Sequence, residues 1–157
     1  MKIKFLLVFF ISTISYAQIT LNDMKTIIKM DFDSFETFVM NKGFSYSKIG
    51  STLSKDAFEC VTYTKGLGEK TKYITLYKKY IDYNKRNVTY QTNSETEYLL
   101  IKKQSKEQGF NLYDTLEYEE KGVLFKTYKN KNYELTLGIG KNEVNSVTYE
   151  ISLQFIE

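Results

Sequence analysis

Between Val147 and Phe155 apolar and polar residues alternate without a break. Val147, Tyr149, Ile151, Leu153 and Phe155 share one parity; Thr148, Glu150, Ser152 and Gln154 share the other. A period of two belongs to a strand with one buried and one wet face. The same pattern, less regular, predicts strands over 44–49, 57–65, 72–80, 87–92, 110–117, 122–129 and 132–139, and extends the last one to 145–156. Short polar links such as Asn130-Lys131-Asn132 and Gly140-Lys141-Asn142 fit hairpins, and hairpins imply antiparallel pairing. The links from Gly66 to Thr71 and from Ile81 to Arg86 are longer. No proline interrupts any of these segments.

Elsewhere the apolar spacing is helical. Leu21, Met24, Ile27 and Ile28 form one stripe, which predicts a helix over about 21–30. Asp33-Ser34-Phe35-Glu36 reads as a capping box, and Phe35, Phe38 and Val39 continue an apolar face to a stop at Gly43. A second capping box, Ser94-Glu95-Thr96-Glu97, opens a segment that carries Tyr98, Leu99 and Ile101 and ends at Gly109.

These elements come in a repeated order. Asn41-Lys42-Gly43-Phe44 closes one helix, and Glu107-Gln108-Gly109-Phe110 closes the other. Phe58-Glu59-Cys60-Val61-Thr62-Tyr63 aligns with Val123-Leu124-Phe125-Lys126-Thr127-Tyr128, and Val88-Thr89-Tyr90 with Val147-Thr148-Tyr149. The expectation is an α+β fold. Two repeats, about 20–92 and 93–157, would each supply a helical segment and four antiparallel strands, joined into one continuous curved sheet with the helices on one face. Only the first repeat carries the short leading helix. This order, with its Gly-Phe junctions, resembles the duplicated helix-plus-sheet architecture of β-lactamase-inhibitory-type proteins. The resemblance implies a sheet that presents a concave face to a protein. It carries no diagnostic motif and implies no particular target.

The N-terminus adds an address. Lys2 and Lys4 precede the apolar run Phe5–Ile11, and Ser15 and Ala17 place small residues before Gln18. This is the pattern of a cleaved signal peptide over residues 1–17, and the run is too short for a membrane span. Removing it leaves about 140 residues, one domain of ordinary size. The chain is then expected to be periplasmic or secreted, with no transmembrane segment after cleavage. The precursor has 22 basic and 19 acidic residues, and its small positive excess lies mostly in Lys2 and Lys4. Arg86 is the only arginine, so nucleic-acid binding, which leans on arginine forks, is not expected.

Candidate chemistry is sparse. There is no histidine, which removes Ser-His-Asp and Cys-His catalysis and the usual zinc sites. The single cysteine, Cys60, aligns with Phe125 and reads as a buried core residue. Gly66-Leu67-Gly68 and Gly138-Ile139-Gly140 read as turns or bulges rather than phosphate cradles. Asp31-Phe32-Asp33 reads as a helix cap by Asp33 rather than a cation site. Glu117 to Glu120 reads as a solvated strand end, and Lys78-Lys79 and Lys102-Lys103 as solvated surface. No catalytic, metal or cofactor-binding residue is expected, and no cofactor.

The remaining signal is aromatic: 14 tyrosines and no tryptophan. Alternation assigns Phe58, Cys60, Ile74, Leu76, Val123, Phe125, Leu135 and Leu137 to the core. Tyr63, Tyr73, Tyr77 and Tyr128 fall on the opposite parity, as a candidate binding face with lysines between them. The expected function is an exported, non-enzymatic binding module for an envelope or secreted protein, inhibitor- or immunity-like. Two alternatives stand beside it: capture of a carbohydrate or small ligand, and a structural role in envelope assembly. Oligomeric state is open, since an edge strand such as 44–49 has free backbone for pairing between copies.

Overall fold

The computed structural model describes residues 18–53, 58–79, 86–119, 122–142 and 145–156. Residues 1–17, read above as a signal peptide, residues 80–85, Glu120 and Lys121, and the side chains of Phe58, Lys78 and Lys79 lie outside the described residues. Three helices occur among the described residues: α1 (Leu21–Ile27), α2 (Phe32–Asn41) and α3 (Glu95–Glu107). Eight strands accompany them: β1 (Ser45–Leu53), β2 (Phe58–Lys65), β3 (Lys72–Lys79), β4 (Arg86–Thr92), β5 (Asn111–Tyr118), β6 (Val123–Lys129), β7 (Tyr133–Lys141) and β8 (Val147–Phe155).

The helices start and stop for local reasons. Thr20 and Asp23 form a reciprocal capping box on α1. Asp31, not Asp33, caps α2: its carboxylate accepts the Ser34 N–H at 2.8 Å, and Asp33 lies in the first turn. Ser94 caps α3. Both α2 and α3 end on a glycine with positive φ, Gly43 at 82° and Gly109 at 74°. The next N–H then returns to a carbonyl five residues back, Phe44 to Val39 and Phe110 to Ser105, each at 3.0 Å. Both phenylalanines are buried, so each helix stop also plugs the core.

All eight strands form one antiparallel sheet in the order β1-β2-β3-β4-β8-β7-β6-β5. Each group of four is a meander, and the groups meet where Val88 faces Leu153 and Tyr90 faces Ile151. Helix α3 carries the chain from the central strand β4 to the far edge strand β5. Its 13 residues span about 20 Å at 1.5 Å per residue, close to the four strand spacings, about 19 Å, between β4 and β5.

Directly opposed residues in an antiparallel pair share a face. One face therefore carries Tyr63, Ile74, Tyr90, Ile151 and Leu137 in one row, and Leu76, Val88, Leu153, Leu135 and Tyr128 in the next. These side chains, with Leu21, Met24, Ile27, Phe35, Val39 and Ile101 of the helices, make the core. Ile74, Leu76, Leu135 and Leu137 lie there as expected. Cys60 is buried, but on the other face, under the irregular stretch of β1 around Gly50, whose carbonyl takes its S–H at 3.1 Å. Val123 and Phe125 also lie on that other face and are half-buried, a correction to their core assignment. Gly138 and Gly140 sit inside β7 with regular pairing to β8, not in a turn or bulge.

At the centre of the core sits a charge. The Glu97 carboxylate is 2 % exposed. It accepts Tyr90 Oη at 2.7 Å and Thr92 Oγ1 at 2.8 Å, and pairs with Lys72 Nζ. Instead of completing a capping box, Glu97 pins α3 onto β3 and β4. Burial and the hydrogen bond to Glu97 both push the Tyr90 phenol far above its ordinary pKa, so it stays a donor.

Candidate functional site

The three helices pack on the core face alone: Phe35 of α2 meets Tyr63 edge-on at 5.4 Å, Lys25 of α1 stands over Tyr133, and Tyr98 of α3 lies on Tyr149 at 4.8 Å. Among the described residues no helix covers the opposite face, the open face of the sheet. Its composition follows from the polar parity of the strands, and the register brings those residues into rows. The middle row runs through all eight strands: Ser47, Thr62, Thr75, Thr89, Ser152, Thr136, Thr127 and Asp114. Seven of these eight residues carry hydroxyls.

The hydroxyls bond to one another. Thr62 and Thr75 are 2.9 Å apart, and Thr127 and Thr136 are 3.3 Å apart. Thr62 donates its proton to the Gly50 carbonyl, so Thr75 is the donor within its pair. Thr89 donates to Ser152, which donates to Asn87 Oδ1 at 2.8 Å. With their protons committed to neighbours, the half-buried Thr89 and Ser152 keep lone pairs free, while Thr62 and Thr75 are buried at 3 % and 7 % exposure.

The flanking rows are mixed. One holds Thr64, Tyr73, Gln91, Glu150, Gly138, Phe125 and Leu116; the other holds Cys60, Tyr77, Asn87, Gln154, Glu134, Lys129 and Asn111. Tyr73 and Tyr77 thus stand on the open face, half-buried, on either side of Thr75. Burial, with Cys60 and Glu150 nearby, raises the Tyr77 pKa.

Tyr63 and Tyr128 do not join them. They are 3 % and 7 % exposed and belong to the helix-covered core, so the four tyrosines split between opposite faces. The reason is the amphipathic nature of tyrosine. The Tyr63 ring packs under α2 while its hydroxyl reaches Glu36 at the margin. Burial and that carboxylate push its pKa up to about 12.

The face also contains a groove that the strand pattern alone does not announce. Gly138 and Gly140 leave a gap on β7 between β6 and β8. The gap, about 280 Å³, is lined by Val123, Phe125, Gly138, Gly140, Thr148 and Glu150, among others. The Phe125 ring lies directly over Gly138: a Cβ there would come within 2.7 Å of Phe125 Cε1. Tyr118 meets Phe125 edge-on at 6.3 Å, and Leu116 and Tyr118 are 48 % and 46 % exposed. The signal in the chain was a pair of glycines on the polar parity of an otherwise β-branched and leucine-rich strand.

Among the described residues no group of three His, Cys, Asp or Glu is placed to hold a metal ion, and no helix is long and apolar enough to cross a membrane. Comparison with protein families, with curated proteins and with solved structures returns no match.

Proposed function

We propose that this chain is an exported, non-catalytic binding protein that engages a protein partner through the open face of its sheet. The observation that carries the reading is the apolar groove of Val123 and Phe125, with Tyr118 against Phe125, set beside a hydroxyl row on a face that no helix among the described residues covers. An apolar patch rimmed by hydrogen-bonding groups is the anatomy of an interface. Phe125 and Tyr118 would anchor one end of the contact and Tyr73 and Tyr77 the other, four to five strand spacings or about 19–24 Å apart, within one standard interface. We read the two groups of a helical segment and four strands as copies of a single unit, the first with the additional helix α1, each giving a meander to that face. The resemblance to β-lactamase-inhibitory-type proteins would carry over this mode of presentation and no target. An envelope or secreted protein is the expected partner, in the periplasm or outside the cell.

The test is a cross-linking pull-down from envelope and secreted fractions. The protein is compared with Phe125→Ser and with the Tyr73→Ala, Tyr77→Ala pair, each first shown to keep its circular dichroism and thermal midpoint. A protein recovered by the wild type and lost with both variants supports the reading. Equal recovery by all three overturns it.

A second reading, glycan capture, is favoured by the hydroxyl row with its neighbouring amides Asn87, Gln91 and Gln154. It expects recovery of protease-treated envelope polysaccharide by the wild type and loss with Tyr73→Ala, Tyr77→Ala.

A further inference from the structure

We propose that the β6–β8 groove is a receptor for one basic side chain, arginine above lysine, presented by the protein partner. The inference rests on the open-face reading above and names what that face recognises. The floor is apolar: Val123, the Phe125 ring and the bare backbone of Gly138 and Gly140. The rim includes one carboxylate, Glu150, beside Thr148, Asn142 and Lys141. Glu150 lines the groove from β8, and its carboxylate accepts from the neutral Gln91 amide of β4 at 2.9 Å; among the described residues no cation forms an ion pair with it. Other carboxylates differ: Glu134 is held by Lys129 at 3.0 Å, Glu97 by Lys72 and Asp23 by Lys42. Thr148 adds a hydroxyl to the rim. Farther along β8 and on the neighbouring β4, Ser152 and Thr89 present lone pairs, their protons being turned to neighbours.

A carboxylate beside an aromatic floor suits a ligand with a flat apolar body and a charged donor end. A guanidinium on an aliphatic stem has five N–H donors, no acceptor, and a plane that stacks on an aromatic ring. The volume, about 280 Å³, falls just below the roughly 300–1,000 Å³ of sites for whole small molecules and suits a single long side chain. Lys141 borders the groove, but it lies on the opposite parity of β7 and makes no ion pair with Glu150.

The test is an amide-resolved NMR titration of the whole protein with N-acetyl-arginine amide, and with the citrulline analogue, which has the same shape and no charge. Saturable shifts are expected at Gly138, Gly140, Phe125 and Glu150. Glu150→Gln, or citrulline in place of arginine, should weaken binding roughly fivefold, as loss of one exposed ion pair does. Thr148→Trp, which fills the groove from its rim without entering the core, should abolish it. Citrulline acting as strongly as arginine would overturn the proposal. So would shifts that map elsewhere, or none up to about 50 mM, far above the millimolar Kd one such contact supports. The pull-down separates the two failures. A partner captured equally by wild type and Glu150→Gln leaves the open-face reading standing and removes this one. Arginine bound in the groove while Phe125→Ser still captures the partner does the reverse.

Discussion

The two faces of one sheet handle tyrosine in opposite ways. Under the helices, Tyr63, Tyr90 and Tyr128 are core residues; Tyr90 gives its hydroxyl to Glu97, and Tyr63 reaches the margin at Glu36. On the open face, Tyr73 and Tyr77 stand half-buried beside a row of hydroxyls. The residue type is the same and the strands are neighbours. What differs is whether a helix lies above. Tyrosine therefore does not report its own side of a sheet; its neighbours across the strands do.

The sharpest way to break this comparison is to truncate one tyrosine on each face. Tyr63→Ala should lose about 3–5 kcal/mol, as aromatic-to-alanine changes in a core do, while Tyr73→Ala should lose under about 1 kcal/mol, as exposed-face changes do. Urea unfolding of the two variants checks both values. Similar losses would mean that the faces are not distinct.

The core face can next be probed at its charge. Glu97→Ala strands the hydroxyls of Tyr90 and Thr92 and leaves Lys72 unpaired, a loss of about 3 kcal/mol for a broken buried network. Glu97→Gln keeps an acceptor for the hydroxyls and should lose less. Chemical denaturation of both orders them.

On the open face the corresponding probe is Gly138→Ala, which drives a methyl into the Phe125 ring. The expected loss is about 1 kcal/mol, the low end for overpacking, because Phe125 borders solvent and can swing away. Adding Phe125→Ala should recover it, and a double-mutant cycle measures the coupling.

A smaller effect is expected from alkali. Tyr63 has a folded pKa of about 12, above its ordinary value of 10.0. A raised folded pKa means that its contribution to stability is complete below about pH 10 and is lost as pH rises through about 12. Urea midpoints near pH 8 and pH 11 should therefore separate, and Tyr63→Phe should narrow the gap. An unchanged gap would assign the loss to other phenols, Tyr90 first.

Much of the fold was legible because its signals are local. The Gly43 and Gly109 stops, the Ser94 cap and the alternation of Val147 to Phe155 lie within a few residues of what they control. The parity of β2 and β6 was not legible in the same way. Phe58-Cys60 and Val123-Phe125 look more apolar than Val61-Tyr63 and Lys126-Tyr128, yet the helices cover the second set. Val123 and Phe125 find their apolar surroundings over Gly140 and Gly138, residues of another strand, and only the β6–β7 register reveals that fit. Glu97 was likewise visible as a capping residue, but its reach into the core depends on Lys72, Tyr90 and Thr92 arriving from β3 and β4. Of the four candidate tyrosines, alternation put Tyr73 and Tyr77 on the face opposite the core, where they lie; the groove required the assembled sheet.

The seam between β4 and β8 carries a consequence for synthesis. Val88 waits for Leu153, and Tyr90 for Ile151. The middle of the sheet is thus completed by the last of the described strands to be made, after both outer strands already exist. Until β8 arrives, β4 and β7 each expose a line of unpaired backbone groups on one side, the kind of template that draws in another chain. Pairing across so long a stretch of sequence is also slow. A nascent chain of this fold therefore has its greatest need of a chaperone just before β8 emerges.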